Sequence, residues 1–156
     1  MSMHSAHITK GFTLLEIIVV VAIIGIIASI SAEVLKNVQQ SSALRAGASE
    51  MYRALTEARS STLGSDSDTV YGVRISSTTV TRFEGATYSA GSPTNRTYRF
   101  EAGVSATGTL IASGRDFVFR RLTGETTASG TVYLRNVSGT GTTTLTVHTS
   151  GLIENN

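Results

Sequence analysis

The residues of this sequence that could carry chemistry are few and widely spaced. Glu16 is the one charge in the 21 residues from Phe12 to Ala32, a stretch without proline. A carboxylate among apolar neighbours is costly unless a cation meets it, so its chemistry would be that of a buried ion pair. One that reaches the polar edge of a bilayer would escape the cost and carry no role. His148 has Ser and Thr neighbours, which are inevitable in a chain this rich in them. A hydrolytic triad would also need an orienting carboxylate and an activated hydroxyl, and the spacing points to neither. Asp66 and Asp68 lack the alternating ligand pattern of a calcium loop and read as solvated. His4 and His7 show no metal-ligand spacing. Gly139-Thr140-Gly141 lacks the Lys and strand-to-helix setting of a phosphate loop and reads as a turn. With no cysteine, neither disulfide nor thiolate chemistry is available. The residues predict a non-enzymatic chain with no cofactor and no metal.

Thirteen Lys and Arg against eleven Asp and Glu give a net charge of +2 in 156 residues, too balanced for a strong basic field. Arg115, Arg120, Arg121 and Arg135 would offer roughly three or four phosphate contacts, hence weak and salt-sensitive binding. The end, Gly151-Leu152-Ile153-Glu154-Asn155-Asn156, is net negative. Nucleic acid is therefore not an expected partner. Asn95-Arg96-Thr97 and Asn136-Val137-Ser138 match the N-glycosylation pattern, which short sequences meet by chance.

The element that must position Glu16 is a long helix. Twenty-one residues at about 1.5 Å each span roughly 30 Å, one bilayer core. The apolar residues from Phe12 to Ile30 favour insertion by roughly 4 to 8 kcal/mol, more than the about 2.5–3.5 kcal/mol set against it by one acid. A secretory signal peptide cut near Ser31-Ala32 would have a shorter apolar region and no carboxylate within it. A plain membrane anchor is the other simple reading. Helical spacing continues through Leu35, Val38, Leu44, Ala48, Met51, Leu55 and Ala58, with Glu50, Arg53 and Glu57 on another face. Leu63-Gly64 before Ser65-Asp66-Ser67-Asp68 reads as a helix stop with a left-handed glycine cap. Gly25 and Gly47 are the weak points of this helix, read either as packing or, for Gly25, as a place where the helix melts.

From Val70 the pattern becomes short strands: 70–75 and 79–83 as a hairpin, then 97–101, 116–120, 131–137 and 143–148, separated by glycine-rich turns. The prediction is α+β, a long N-terminal helix packed on a C-terminal antiparallel sheet. Its segments are a leader over 1–11, an apolar helix over 12–32, an amphipathic helix over 33–64 and a β domain over 65–156.

Lys10-Gly11-Phe12-Thr13-Leu14-Leu15-Glu16, followed by the apolar run, resembles the class III signal of type IV pilins and type II secretion pseudopilins. Residues 50–153 are similar, through more degenerate motifs, to the GspH/FimT-like minor pilins and pseudopilins. These carry Tyr71-Gly72-Val73, a Phe-Val-Phe strand, Leu122-Thr123-Gly124, Gly130-Thr131-Val132-Tyr133-Leu134 and Ser150-Gly151-Leu152-Ile153. The chain departs from many pilins in having no C-terminal disulfide and no proline in the helix. Some pseudopilins bind calcium, to which Asp66 and Asp68 could contribute although the EF-hand pattern is absent; some FimT-like proteins bind DNA through a basic C-terminus, and the residues for that are missing here.

The resemblance implies cleavage after Gly11 by a prepilin peptidase, N-methylation of Phe12, and neutralisation by Glu16 of the N-terminal amine of a neighbouring subunit. Expected partners are other pilin or pseudopilin subunits, the peptidase and methylase, the inner-membrane assembly platform and the membrane itself. The implied location is the cytoplasmic membrane, through a single helix, and then a surface or periplasmic filament. The alternative is a membrane-tethered or secreted β-domain module that binds DNA or a surface ligand.

Overall fold

The computed structural model describes residues 11–64, 68–110, 114–139 and 141–156, with the side chains of 30–34 and 109–110 left aside. The basic leader through Lys10, Asp66 and Thr140 lie outside the described residues. A 50-residue helix, α1 (Leu14–Leu63), is followed by eight strands among the described residues: β1 (Tyr71–Ile75), β2 (Thr79–Glu84), β3 (Arg96–Arg99), β4 (Val104–Leu110), β5 (Asp116–Val118), β6 (Gly130–Asn136), β7 (Thr142–Val147) and β8 (Ile153–Asn155). The class is α+β, as predicted. The chain divides into two compact units, residues 1–37 and 38–156.

In the first unit every large apolar side chain from Phe12 to Ile27 is 46–80% exposed. Apolar residues surround the helix, so it has no polar side to give to water. Among the described residues no helix is long and apolar enough to cross a membrane, and the expected bilayer-crossing stretch over 12–32 runs beyond the part of it whose side chains are described, which ends at Ser29.

In the second unit two four-stranded antiparallel sheets form, where one sheet was expected. Their orders are β3-β2-β1-β5 and β4-β6-β7-β8. Both contribute to a single core with the helix: Leu44, Ala48, Met51, Ala54, Leu55 and Ala58 meet Val73, Ile75, Val80 and Phe117 of the first sheet and Val104, Val132, Leu134, Leu145 and Val147 of the second. The buried helical face recurs at three and four residues, and its alanines let the backbones approach. Gly47 belongs to it as well. A methyl there would lie 3.3 Å from Leu134 and 3.5 Å from Phe100 and Val104, so packing accounts for this glycine. At Gly25 a methyl would meet open space.

Leu35 and Val38 were expected on the buried face but are 58% and 60% exposed; among the described residues the first buried apolar side chain of the helix is Leu44. Gly64 ends the helix with its N–H on the Ser60 carbonyl at 2.8 Å, without the expected left-handed conformation. Just before it, the fully buried Thr62 hydroxyl donates to Ala58 O at 2.8 Å and accepts from Tyr71 N at 2.9 Å, tying the helix end to β1.

Strands β4 and β8 were not expected. β4 pairs along its whole length with β6, from Val104↔Asn136 to Leu110↔Gly130, although Ser, Thr and Gly break its apolar pattern. β8 is three residues that pair with β7 from Leu145↔Asn155 to Val147↔Ile153.

Candidate functional site

Gly11, Phe12 and Thr13 precede the helix and are exposed. A methyl at Gly11 would meet open space. Thr13 is the N-cap: its Oγ1 accepts from Glu16 N at 3.2 Å, and its carbonyl accepts from Ile17 N at 3.3 Å. Glu16 is thereby fixed as the third residue of the first turn, where a carboxylate also meets the positive end of the helix dipole. Gly11, Phe12 and Glu16 are thus brought together at the start of the helix. Thr13 was missed, although Thr-x-x-Glu before an apolar run spells a capping box in the sequence. Glu16 is exposed and has no ion-pair partner among the described residues.

The charged groups of the β domain serve its architecture. Arg82, 10% exposed at its side chain, reaches through the helix-facing side of the first sheet to Glu57 Oε1 at 2.9 Å and lies 4.9 Å from the Tyr71 ring centre. On the opposite side, Arg74 donates two 2.6 Å hydrogen bonds to Asp116 and stacks 4.0 Å from the Tyr88 ring. The hydrogen-bonded Asp116 raises the Arg74 pKa against a smaller effect of burial. This cation therefore stays charged throughout the neutral range.

Of the other candidates, Asp68 pairs with Arg121 at 2.6 Å, and no group of three metal-ligating side chains occurs among the described residues. Arg115 precedes β5, Arg120 and Arg121 follow it, and Arg135 is on β6 in the other sheet, so the four are split between elements. His148 Nε2 lies 3.2 Å from Glu154, a pairing the sequence reading did not foresee. Among the described residues no hydroxyl hydrogen-bonds to that imidazole. Both sequon amides are engaged: Asn95 Nδ2 donates to Ser89 O at 2.8 Å, and the buried Asn136 donates to Gln40 Oε1 at 3.4 Å.

A family described as the prokaryotic N-terminal methylation motif matches residues 8–32. No curated protein and no solved structure matches the chain.

Proposed function

We propose that this chain, which its N-terminal methylation motif indicates to be a member of the type IV pilin and pseudopilin family, is a structural subunit of a pilus or secretion pseudopilus. The motif supports a processed, pilin-like subunit; cleavage falls after Gly11, and Phe12 becomes the methylated terminus. A single membrane-held helix precedes assembly, and a surface or periplasmic filament follows it. The β domain is of the GspH/FimT-like kind, and the chain carries no catalytic activity.

The observation that carries this reading is the helix that is apolar on all sides, with large side chains 46–80% exposed from Phe12 to Ile27. Water is a poor solvent for such a surface. Lipid satisfies it before assembly, and the same helices of neighbouring subunits satisfy it afterwards. Packing these helices together removes Glu16 from water, and the methylated amine of a neighbour supplies the cation that makes its burial tolerable.

The test is the mature N-terminus of protein purified from its native host, read by mass spectrometry together with its recovery in sheared surface filaments. A chain starting at methylated Phe12 and present in the sheared fraction is expected. A start near Glu33 would mean a conventional signal peptide and a secreted module. An intact N-terminus on a chain that stays with membranes would mean a tethered module.

A further inference from the structure

Leu122 has a backbone that leucine rarely adopts and a side chain that touches almost nothing of its own chain. Its φ is 70° and its side chain is 85% exposed. Left-handed backbone is strained for any residue with a β-carbon, and no contact among the described residues rewards a leucine there. The turn that presents it is firmly held. Thr123 N donates to Arg121 O at 2.9 Å, Gly124 N to Arg120 O at 3.0 Å, and Arg120 N to Glu125 O at 2.7 Å. Arg121 is anchored to Asp68. An apolar knob on a rigid turn loses little entropy when it docks.

The turn is seated at the C-terminal end of α1, where Arg59 Nε donates to Gly124 O at 3.3 Å and Gly124 lies against Leu63. Among the described residues the second most exposed apolar side chain of the β domain, Val137 at 82%, is at the other end: its neighbour Ser138 donates to Gln40 Oε1 at 2.6 Å. Gln40 and Leu63 are about 35 Å apart along the helix. Val137 N is bonded to Gly103 O at 2.8 Å, two residues from Glu101. Glu101 borders a notch of about 360 Å³ floored by Ala46, Gly47, Tyr98 and Phe100, with Glu50 and Arg99 also on its wall. Glu50 Oε2 is shielded from solvent and accepts no hydrogen bond, although Arg53 Nε is 3.4 Å away. Arg120 beside the knob and Glu101 beside the notch each have no ion-pair partner among the described residues.

We propose that Leu122 of one copy docks on the Val137 end of a second copy, entering the notch over Gly47 and Phe100 while Arg120 faces Glu101. The contact joins two different surfaces, so it repeats head to tail and builds an open array instead of a closed pair. It deepens the filament reading by naming the subunit contact outside the apolar helices. The charge pairing sets register, and the leucine provides the anchor.

The native chain has no cysteine, so the contact can be read by cross-linking. The full-length chain carrying Leu122→Cys and Val137→Cys together is expressed with its prepilin peptidase and oxidised. The two positions are much farther apart within one copy than the roughly 7 Å a disulfide can bridge, so every bond formed joins two copies. A ladder of covalent multimers is expected from the double variant, and dimers at most from either single variant. Absence of the ladder, or equal ladders in the single variants, overturns the contact. Arg120→Glu and Glu101→Arg should each weaken the ladder about tenfold, and together restore it. A combined variant as weak as the single ones would overturn the charge pairing. Leu122→Gly removes the knob and the strain together, and should lower assembly without lowering the melting temperature of the chain. Loss of both would mean that the leucine serves only the fold. Wild-type protein absent from sheared filaments, with the ladder still forming on membranes, would sink the filament reading and leave this contact standing.

Discussion

The Glu16 backbone N–H donates to the Thr13 hydroxyl oxygen at 3.2 Å, so the acid at the centre of the proposed assembly step is also part of the helix cap. The two functions can be separated because the cap uses the backbone of Glu16 and the side chain of Thr13, whereas neutralising a neighbour's amine uses the Glu16 carboxylate.

Glu16→Gln keeps size and polarity but removes the charge. It is expected to reduce recovery in sheared filaments as severely as Glu16→Ala, with membrane association unchanged. Thr13→Ala should fray the first turn by about 1 kcal/mol and reduce assembly less. Normal amounts of Glu16→Gln filaments would show that the charge has no assembly role.

Gly72 lies opposite Phe83 in the β1–β2 pairing, and a methyl at Gly72 would stand 2.9 Å from Phe83 Cε1 and closer still to its ring tip. The fully buried ring rests on the bare backbone of the glycine. Gly72→Ala should therefore destabilise the β domain by about 1–3 kcal/mol, as overpacking does. Thermal melting of the Gly72→Ala, Phe83→Leu double variant is expected to recover part of the loss, because leucine leaves room for the methyl.

How legible these features are in the sequence depends on how local their cause is. The helix, the β1–β2 hairpin and the strands over β5, β6 and β7 follow from runs of apolar and β-branched residues, and were predicted close to where they occur. β4 was missed because Val104-Ser105-Ala106-Thr107-Gly108-Thr109-Leu110 has little strand signal of its own; its seven-residue pairing with β6 is a tertiary gain. β8 needs Gly151, whose φ of 77° turns the chain back onto β7. A second sheet could not be inferred from strands alone, since pairing order is non-local. At the candidate site the motif Gly11-Phe12-Thr13-Leu14-Leu15-Glu16 was fully visible, and only the meaning of Thr13 was overlooked. The strain at Leu122 was invisible, because an ordinary leucine gives no sign of a left-handed backbone.

Arg82 and Glu57 give an asymmetric prediction. The cation is the more deeply buried partner, 10% exposed against 33%. Glu57→Ala leaves that cation without its partner and should cost about 3 kcal/mol, near the lower end for a broken buried pair. Arg82→Met replaces the charge with an apolar side chain and leaves Glu57 able to reach water, so it should cost less. Chemical denaturation of the two variants checks the order, and equal losses would mean that the pair contributes through geometry more than through charge.

Thr62 links two elements through one hydroxyl. It is fully buried, donates to Ala58 O at 2.8 Å and accepts from Tyr71 N at 2.9 Å. Thr62→Val has nearly the same shape but cannot accept, so the Tyr71 N–H would be buried without a partner. An orphaned buried donor costs about 1–3 kcal/mol, whereas the loss of the bond to Ala58 O matters little because that carbonyl is already in the helical ladder. Thr62→Ser keeps both hydrogen bonds and loses one methyl, for a cost of about 1 kcal/mol. If the hydroxyl is what holds β1 to the helix, valine should destabilise more than serine, and amide exchange at Tyr71 should accelerate in the valine variant alone. The reverse order of stability would mean that the methyl group, and so packing, carries the role of Thr62.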